Sequence, residues 1–456
     1  MITPTNKALL SGRLLRLALL AWLVGSLSGL VAALFRLALQ QTDRGRDGLI
    51  GWAHGRSFAG FVLIVGLVAG GAAVAAWLVR RVCPEASGSG IPHVEAVVEG
   101  ESPPAPFGLL LVKFLGGWLA IGGGLALGRE GPSVQMGASV ASLLGKVFRL
   151  DGPDFTALLA AGAGAGLATA FNAPVAGAVF VLEELVRRFD ARIAVAALGA
   201  SGGAIAVARV LLGEAPDFTV EAIAPPGFGG GLLFLAFGVV AGVAGVAYNR
   251  ALLGALALTD RLGRWPVEVR AAVIGAAVGA LAWFAPTLVG GGDVLTQQAL
   301  AGKEILALLP LLFALRFMLG AVSYVAGTPG GLFAPMLVLG AQLGLLFGGL
   351  CRLGFGGLGI PPLAFAVVGM AAFFTAVVRA PVTGIVLIAE MTKNDTLLLP
   401  MLAACFAAMA VPTLLGNPAI YDSLKERTLK MKASGRDPRH IDVSPGLRMV
   451  QKSEEQ

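Results

Sequence analysis

Long apolar segments without a charged residue recur along the whole chain. Residues 155–182, 317–351, 353–378 and 396–421 contain no Asp, Glu, Lys or Arg. A helix needs about 20 apolar residues to cross a bilayer, and runs rich in Leu, Ala and Gly favour helices over the alternating pattern of a membrane barrel. Because lipid offers no partner for unpaired backbone groups, the pattern predicts an all-α polytopic membrane protein.

The apolar segments differ in length, and several are too short to cross a bilayer unaided. The long ones cover 14–40, 58–79, 106–127, 153–171, 193–212, 228–258, 268–289, 304–326, 335–351, 361–378 and 396–416, and the shorter ones cover 92–99, 132–148, 174–187 and 381–392. Prolines stand where helices would begin, at Pro92, Pro132, Pro174, Pro335, Pro381 and Pro418. Proline is tolerated in the first turn of a helix, where its missing N–H has no intrahelical partner. The prolines therefore predict the starts of half-helices rather than kinks.

The two halves of the chain resemble one another. FNAPVAGAVFVLEE at 171–184 matches VRAPVTGIVLIAEM at 378–391, so that Glu183 aligns with Glu390, and GREGP at 128–132 aligns with GLFAP at 331–335 at nearly the same separation. This regularity indicates an internal duplication. Interrupted segments at corresponding positions of two halves are typical of a transporter site at the repeat interface. The similarity leaves open whether the repeats are parallel or inverted.

Four glycine- or proline-bearing motifs mark helix starts: GSGIP (88–92), GREGP (128–132), GLFAP (331–335) and NPAIY (417–421). A helix start presents unpaired N–H groups and about half a positive charge, and glycine lets the backbone approach a ligand closely. Several such ends, with the hydroxyls of Ser89 and Tyr421, would hold a dehydrated anion. A full Lys or Arg charge would bind it too tightly for passage. The motifs predict an anion site.

Glu130 places a carboxylate at this predicted anion site. Ionised, its side chain would compete with the anion for the same donors; protonated, it would have no reason to stay. A charged residue within the membrane costs about 2.5–3.5 kcal/mol on insertion scales, so its presence suggests a function. A side chain of this kind would couple proton movement to anion movement.

Composition and charge support a membrane protein rather than a nucleic-acid-binding one. The 456 residues are 56% hydrophobic, with a mean hydropathy of +0.82 and a net charge of +7. Lys7, Arg13 and Arg16 lie before or at the start of the first apolar segment, and eight Lys or Arg lie between Lys425 and Lys452. By the positive-inside rule both termini are predicted to be cytoplasmic.

Neither the thiols nor the histidines predict a metal site or a cofactor. Cys83, Cys351 and Cys405 are scattered without ligand-like spacing. Ser89 with His93 could suggest a serine hydrolase, but the local sequence lacks a G-x-S-x-G elbow. An enzyme would also leave the duplication unexplained, so we expect a transporter. An organic-anion transporter is the nearer rival, and it would need a larger cavity than helix-end amides create.

GSGIP, GREGP, GLFAP and the late tyrosine, in this order, resemble the CLC family of chloride channels and chloride/proton antiporters. The resemblance covers residues 15 to 430. It implies a homodimer embedded in the bilayer, with a separate chloride pore in each subunit. It also implies a fold of two inverted repeats with tilted, broken and re-entrant helices.

The resemblance assigns roles to individual positions. It implies that Ser89 and Tyr421 coordinate chloride through hydroxyls, that Leu332 and Phe333 do so through their amides, and that Glu130 is the external gate and proton-transfer residue. The implied backbone of the ion filter is Gly88, Gly90, Arg129, Gly131 and Gly331. Serine at position 89 favours chloride over nitrate or fluoride.

FVLEE at 180–184 separates branches of this family. Glu184 resembles the internal proton-transfer glutamate of many exchangers, which favours a chloride/proton antiporter, with a passive chloride channel as the alternative. Glu183 is interpreted as a solvated helix end near Arg187 and Arg188. Glu95 and Lys113 resemble a buried acid–base pair with a structural role.

The predicted organisation is simple. Residues 1–13 form a cytoplasmic segment, 14–430 the transmembrane domain and 431–456 a short basic tail without CBS domains. Within the membrane domain the repeats are expected at about 60–212 and 228–421. The missing regulatory domain is compatible with a bacterial inner membrane.

Overall fold

The computed structural model describes residues 4–223, 230–261, 263, 265–354 and 360–433, with side chains from Gly12 onward. Within these ranges the chain forms seventeen α-helices and no strand. They are α1 Pro4–His54, α2 Ser57–Arg81, α3 Ile91–Val98, α4 Gly108–Gly122, α5 Glu130–Val147, α6 Gly152–Phe171, α7 Pro174–Phe180, α8 Ala191–Leu212, α9 Gly231–Arg261, α10 Val267–Phe284, α11 Asp293–Leu300, α12 Leu309–Tyr324, α13 Phe333–Gly354, α14 Pro362–Val378, α15 Pro381–Thr392, α16 Leu398–Leu414 and α17 Ile420–Ala433. A π-helical turn, Val181–Leu185, follows α7.

Two classes of apolar helix build the molecule. Among the described residues, seven helices are long and apolar enough to cross a membrane: α1, α2, α6, α8, α9, α10 and α13. Others, such as α4, α14 and α15, are apolar but only 10–17 residues long. The protein is an integral membrane protein of broken and complete helices, as the sequence predicted.

The prolines that mark helix starts lie where the sequence predicted. Pro174 and Pro381 are the first residues of α7 and α15. Pro92, Pro132 and Pro335 lie in the first turns of α3, α5 and α13, and Pro418 lies just before α17. In the first turn a missing N–H costs no intrahelical bond, which is why each short helix can begin there.

The two repeats are inverted, and a reciprocal pair of caps shows it. Glu183, in the π-turn after α7, accepts hydrogen bonds from two amides in the first turn of α15. Glu390, near the end of α15, accepts hydrogen bonds from two amides in the first turn of α7. The donors are Val382 N at 3.0 Å and Thr383 N at 2.6 Å for Glu183, and Val175 N at 3.1 Å and Ala176 N at 2.8 Å for Glu390. Each helix meets the other's start with its own end, so the equivalent helices run antiparallel.

The interpretation of Glu183 as a solvated helix end is therefore wrong. Its carboxylate is held by the first turn of α15 and also by the Thr383 hydroxyl at 2.7 Å. Local sequence favoured solvent because Arg187 and Arg188 follow closely. The partner lies in the other repeat, far along the chain.

The helices of the two halves follow in matching order. Long α1 and α9 open them, short α3 and α11 occupy the third place, and the capped pair α7 and α15 the seventh. We assign α1–α8 to one repeat and α9–α16 to the other, which puts the start of the first repeat at α1, earlier than the residue 60 expected from the sequence.

Three helices differ from the predicted apolar segments, either by running past the end of one or by lying outside all of them. α1 continues to His54 through a charged stretch, because Arg46 pairs with Asp43 and Asp47 on the same helix. α11 is too short and polar to give an apolar run. α17 begins at the helix start predicted from NPAIY and continues through the basic region to Ala433, where the sequence showed no apolar segment.

The capping pair yields a stability prediction. Glu390→Ala leaves two amides at the start of α7 without their acceptor, so we expect a loss of about 1–2 kcal/mol and a lower midpoint of thermal unfolding in detergent. Glu426→Ala, which removes an exposed partner of Lys430, is the matched control and should leave the midpoint unchanged. Equal midpoints for both variants would contradict the capping role.

Candidate functional site

Three loops at helix starts meet inside the molecule. The Gly88 amide donates to Thr328 O at 3.1 Å, and the Gly330 amide donates to Gly88 O at 3.0 Å. Gly128 and Gly331 exchange both backbone hydrogen bonds, at 2.8 and 2.7 Å. The starts of α3, α5 and α13, which the sequence placed in three separate motifs, are thus joined by backbone pairing.

The glycines of these loops are required by close approach. A Cβ at Gly131 would lie 2.4 Å from Ser89 Oγ, and one at Gly331 would lie 2.9 Å from Gly131 N. Gly88 and Gly90 have φ of +61° and +86°, which L side chains rarely adopt. The backbone therefore lines the junction without side chains in between.

Two hydroxyls at this junction lack hydrogen-bond partners. Ser89 and Tyr421 are buried, and neither Oγ nor Oη has a partner among the described residues. The Tyr421 ring lies 6.3 Å from the Phe333 ring, centroid to centroid, at the start of α13. Buried hydroxyls are nearly always paired. These two hydroxyls are therefore donors that a ligand able to accept hydrogen bonds could use.

Leu332 and Phe333 place their amides at the start of α13. Both residues are fully buried, and the first N–H groups of a helix have no intrahelical acceptor. The next amide, Ala334 N, donates to Glu130 Oε2 at 3.4 Å. The donors at this helix start therefore face the gating position predicted from the sequence.

Glu130 opens α5 and is fully buried. Its Oε2 reaches the start of α13 in the other repeat, and its Oε1 has no hydrogen-bond partner in the described ranges. A helix start favours an anion, so the carboxylate occupies the kind of place that an inorganic anion would take. One side chain thus links the two repeats at the junction.

Arg129 contributes only backbone to the junction, because its side chain points elsewhere. Its Nη1 lies 2.6 Å from Asp293 Oδ2 and its Nη2 lies 3.4 Å from Asp217 Oδ2. Arg36 also pairs with Asp217, at 2.5 Å. These bonds neutralise the charge next to Glu130. Sequence analysis missed both aspartates, because neither belongs to a motif: Asp217 lies in a loop and Asp293 is the first residue of α11.

The predicted pair of Glu95 and Lys113 does not form. Lys113 Nζ donates to Ala86 O at 3.1 Å and to Gly88 O at 2.7 Å, and both oxygens of Glu95 lack a hydrogen-bond partner among the described residues. Lys113 instead holds the loop that carries Ser89. The carbonyls before a broken helix compete successfully for the ammonium, which local sequence could not reveal.

Glu184 lies apart from the three loops, in the π-turn after α7. Its side chain is buried and borders a cavity of about 920 Å³ that is also lined by Arg187 and Asp422. Single π-turns are frequent at functional sites. The structure therefore places a buried carboxylate at this cavity, apart from Glu130 at the junction.

Tyr324 is a further junction residue that sequence analysis did not identify. Its Oη accepts a hydrogen bond from Ser89 N at 3.5 Å, and a Cβ at Gly88 would lie 2.9 Å from the same oxygen. Neither a motif nor a charge marks it.

Among the described residues, no group of His, Cys, Asp or Glu is placed to hold a metal ion.

The sequence profile of the voltage-gated chloride channels matches residues 71–413. The chain belongs to this family, the CLC family. The junction of three glycine-rich helix starts is therefore part of a CLC membrane domain, in agreement with the resemblance of its motifs.

Relatives with assigned names are similar along most of this CLC chain. The H(+)/Cl(-) exchange transporter ClcA of Vibrio parahaemolyticus is 38% identical over 90% of the chain and 90% of its own length. ClcA of Vibrio cholerae is 40% identical over 90% of the chain and 89% of its own length.

Solved structures share the fold. A slow cyanobacterial Cl-/H+ antiporter aligns with a TM-score of 0.88 and 32% identity over 92% of this chain and 99% of its own. A CLC-type fluoride/proton antiporter aligns with a TM-score of 0.75 at 22% identity, over 92% of this chain and 98% of its own, and this likeness concerns the fold alone.

Close packing at the junction can be tested with one methyl group. Gly131→Ala would place Cβ 2.4 Å from Ser89 Oγ and 2.6 Å from Ser89 O, so the loops must separate. We expect a loss of about 1–3 kcal/mol, measured as a lower unfolding midpoint. Gly66→Ala, in open space on α2, should be neutral or stabilising. A midpoint for Gly131→Ala equal to that of Gly66→Ala would refute the packing argument.

Proposed function

We propose that this protein exchanges chloride for protons across a membrane, through a pore in each subunit of a homodimer. The observation that carries the proposal is the Glu130 carboxylate, buried at the start of α13 beside two unpaired hydroxyls. The relatives named as H(+)/Cl(-) exchange transporters support it. The transported ions are chloride and protons, with no cofactor.

Chloride would be held by partial charges. The hydroxyls of Ser89 and Tyr421 and the amides of Leu332 and Phe333 are donors without a full positive charge. The guanidinium of Arg129, the residue before Glu130, is paired with Asp217 and Asp293. An ion held by dipoles alone binds firmly enough to enter and weakly enough to leave.

Glu130 would act as gate and external proton carrier. Ionised, it takes the amides of α13 and excludes the anion. Protonated, it loses its attraction to those donors, and chloride takes its place. Each exchange of carboxylate for chloride then moves one proton-binding group between two environments, which links the two fluxes.

Glu184 would receive protons on the other side. It is buried, borders an open cavity and lies on the helix whose end caps α15. A carboxylate at this depth is costly unless it serves a purpose. We place both termini in the cytoplasm, on the positive-inside rule, and the protein in a bacterial inner membrane.

A flux assay separates exchange from passive conduction. In liposomes that hold the purified protein, an outward chloride gradient should drive proton uptake against a proton gradient, recorded with a pH electrode. Glu130→Gln should abolish proton uptake and keep chloride flux, because the amide cannot release or bind a proton. Chloride flux without proton uptake in the unaltered protein would mean a channel.

Anion preference tests the chloride-binding assignment. Ser89→Pro removes both the hydroxyl and the N–H of this position. We therefore expect the ratio of chloride flux to nitrate flux to fall about tenfold, which corresponds to one hydrogen bond to a charged acceptor. Relative anion fluxes from liposomes measure the change. Ser87→Ala, whose hydroxyl donates to Gly327 O instead, is the control, and an unaltered ranking in Ser89→Pro would exclude direct coordination.

A further inference from the structure

One guanidinium lies between two carboxylates at the cavity beside Glu184. Arg187 Nη2 is 2.8 Å from Asp422 Oδ1 and 3.8 Å from Glu184 Oε1. Arg187 Nε also donates to Glu184 O at 3.2 Å, which keeps the arginine close to its own turn. A small rotation of the side chain would therefore exchange one carboxylate for the other.

The two carboxylates differ in their surroundings. The Glu184 side chain is 3% exposed, whereas that of Asp422 is 36% exposed and that of Arg187 is 40% exposed. Glu184 Oε1 has no hydrogen-bond partner within the residues that the structure describes. An ionised carboxylate at that depth needs a nearby cation, while Asp422 is also stabilised by water.

The other charged groups near Glu184 are bound to other partners or are themselves acidic. Glu183, on the same turn, is held by the first turn of α15. Lys425, on α17, lies 2.6 Å from Glu99 and 4.0 Å from Asp422. Glu95, on α3, is an unpaired acid. Among the described residues, Arg187 is the cation that forms an ion pair with Glu184.

We propose that Arg187 is a positioning residue that controls the proton occupancy of Glu184, and that Asp422 competes with Glu184 for its guanidinium. This inference rests on the exchange function proposed above. When Glu184 loses its proton, Arg187 turns toward it and neutralises the buried charge. When Glu184 takes up a proton, Arg187 returns to Asp422 and leaves the cavity side of the acid open.

The arrangement also joins the two ion paths on one helix. Asp422 directly follows Tyr421 at the start of α17, and the Tyr421 ring lies against Phe333. The residue that competes for Arg187 is therefore attached to the residue proposed to hold chloride. A shift of the first turn of α17 would therefore move both Tyr421 and Asp422.

The competition predicts two changes of opposite sign. Asp422→Asn frees Arg187 for Glu184, favours the ionised acid, and should shift the midpoint of proton-coupled transport to lower pH. Arg187→Gln removes the cation, favours the protonated acid, and should shift the midpoint to higher pH. An opposite charge at this distance corresponds to about one pH unit or more in each direction.

The measurement is the initial rate of chloride-driven proton movement in liposomes, with equal pH inside and outside, over a pH series. The matched control for Arg187→Gln is Arg188→Gln, which lines the same cavity but forms no ion pair among the described residues. For Asp422→Asn the control is Glu426→Gln on the same helix. Both controls should keep the midpoint of the unaltered protein.

Chloride flux in the same liposomes shows that each variant is folded. Arg187→Lys should shift the midpoint less than Arg187→Gln does, because lysine retains the positive charge. Shifts of the same sign, or none beyond the controls, would overturn the proposed competition while leaving exchange intact. Absence of proton movement in the unaltered protein would instead overturn the exchange function, and this inference with it.

Discussion

Unpaired backbone groups at broken helix ends are the constraint on which this structure depends. In lipid they find no water, and each unpaired group costs several kcal/mol. A protein made of short helices multiplies these ends inside the membrane. The fold must therefore supply partners from distant parts of the chain, and the pattern of partners shows where it has left a place open.

Several of the described ends are closed by charged side chains. Glu183 and Glu390 cap the starts of α15 and α7. Lys113 binds carbonyls of the loop before α3. Arg316, fully buried, donates to the carbonyls of Leu288, Gly290 and Gly291 ahead of α11. In each case the charge is neutralised by a helix dipole or by several carbonyls, which makes its burial tolerable.

The helix ends at the junction of α3, α5 and α13 are not closed in this way. There, within the part of the chain that the structure describes, Ala334 N of α13 donates to Glu130, and the hydroxyls of Ser89 and Tyr421 have no hydrogen-bond partner. Arg129 is turned away to Asp217 and Asp293, and the ammonium of Lys113 is bound to the carbonyls of Ala86 and Gly88. Donors without a permanent acceptor are what an ion in transit requires, and a movable carboxylate can occupy them between ions.

The sequence by itself determined where helices break and which residues stand at the breaks, because proline, glycine and charge act locally along the chain. It therefore predicted the membrane class, the half-helix starts, the duplication and the position of Glu130. The tertiary structure decided what each broken end meets: that Glu183 caps the other repeat, that Lys113 prefers carbonyls to Glu95, and that Asp217 and Asp293 hold Arg129. These partners are brought together only when the inverted repeats pack. Because they lie far apart in the chain, no local sequence pattern predicts their contacts.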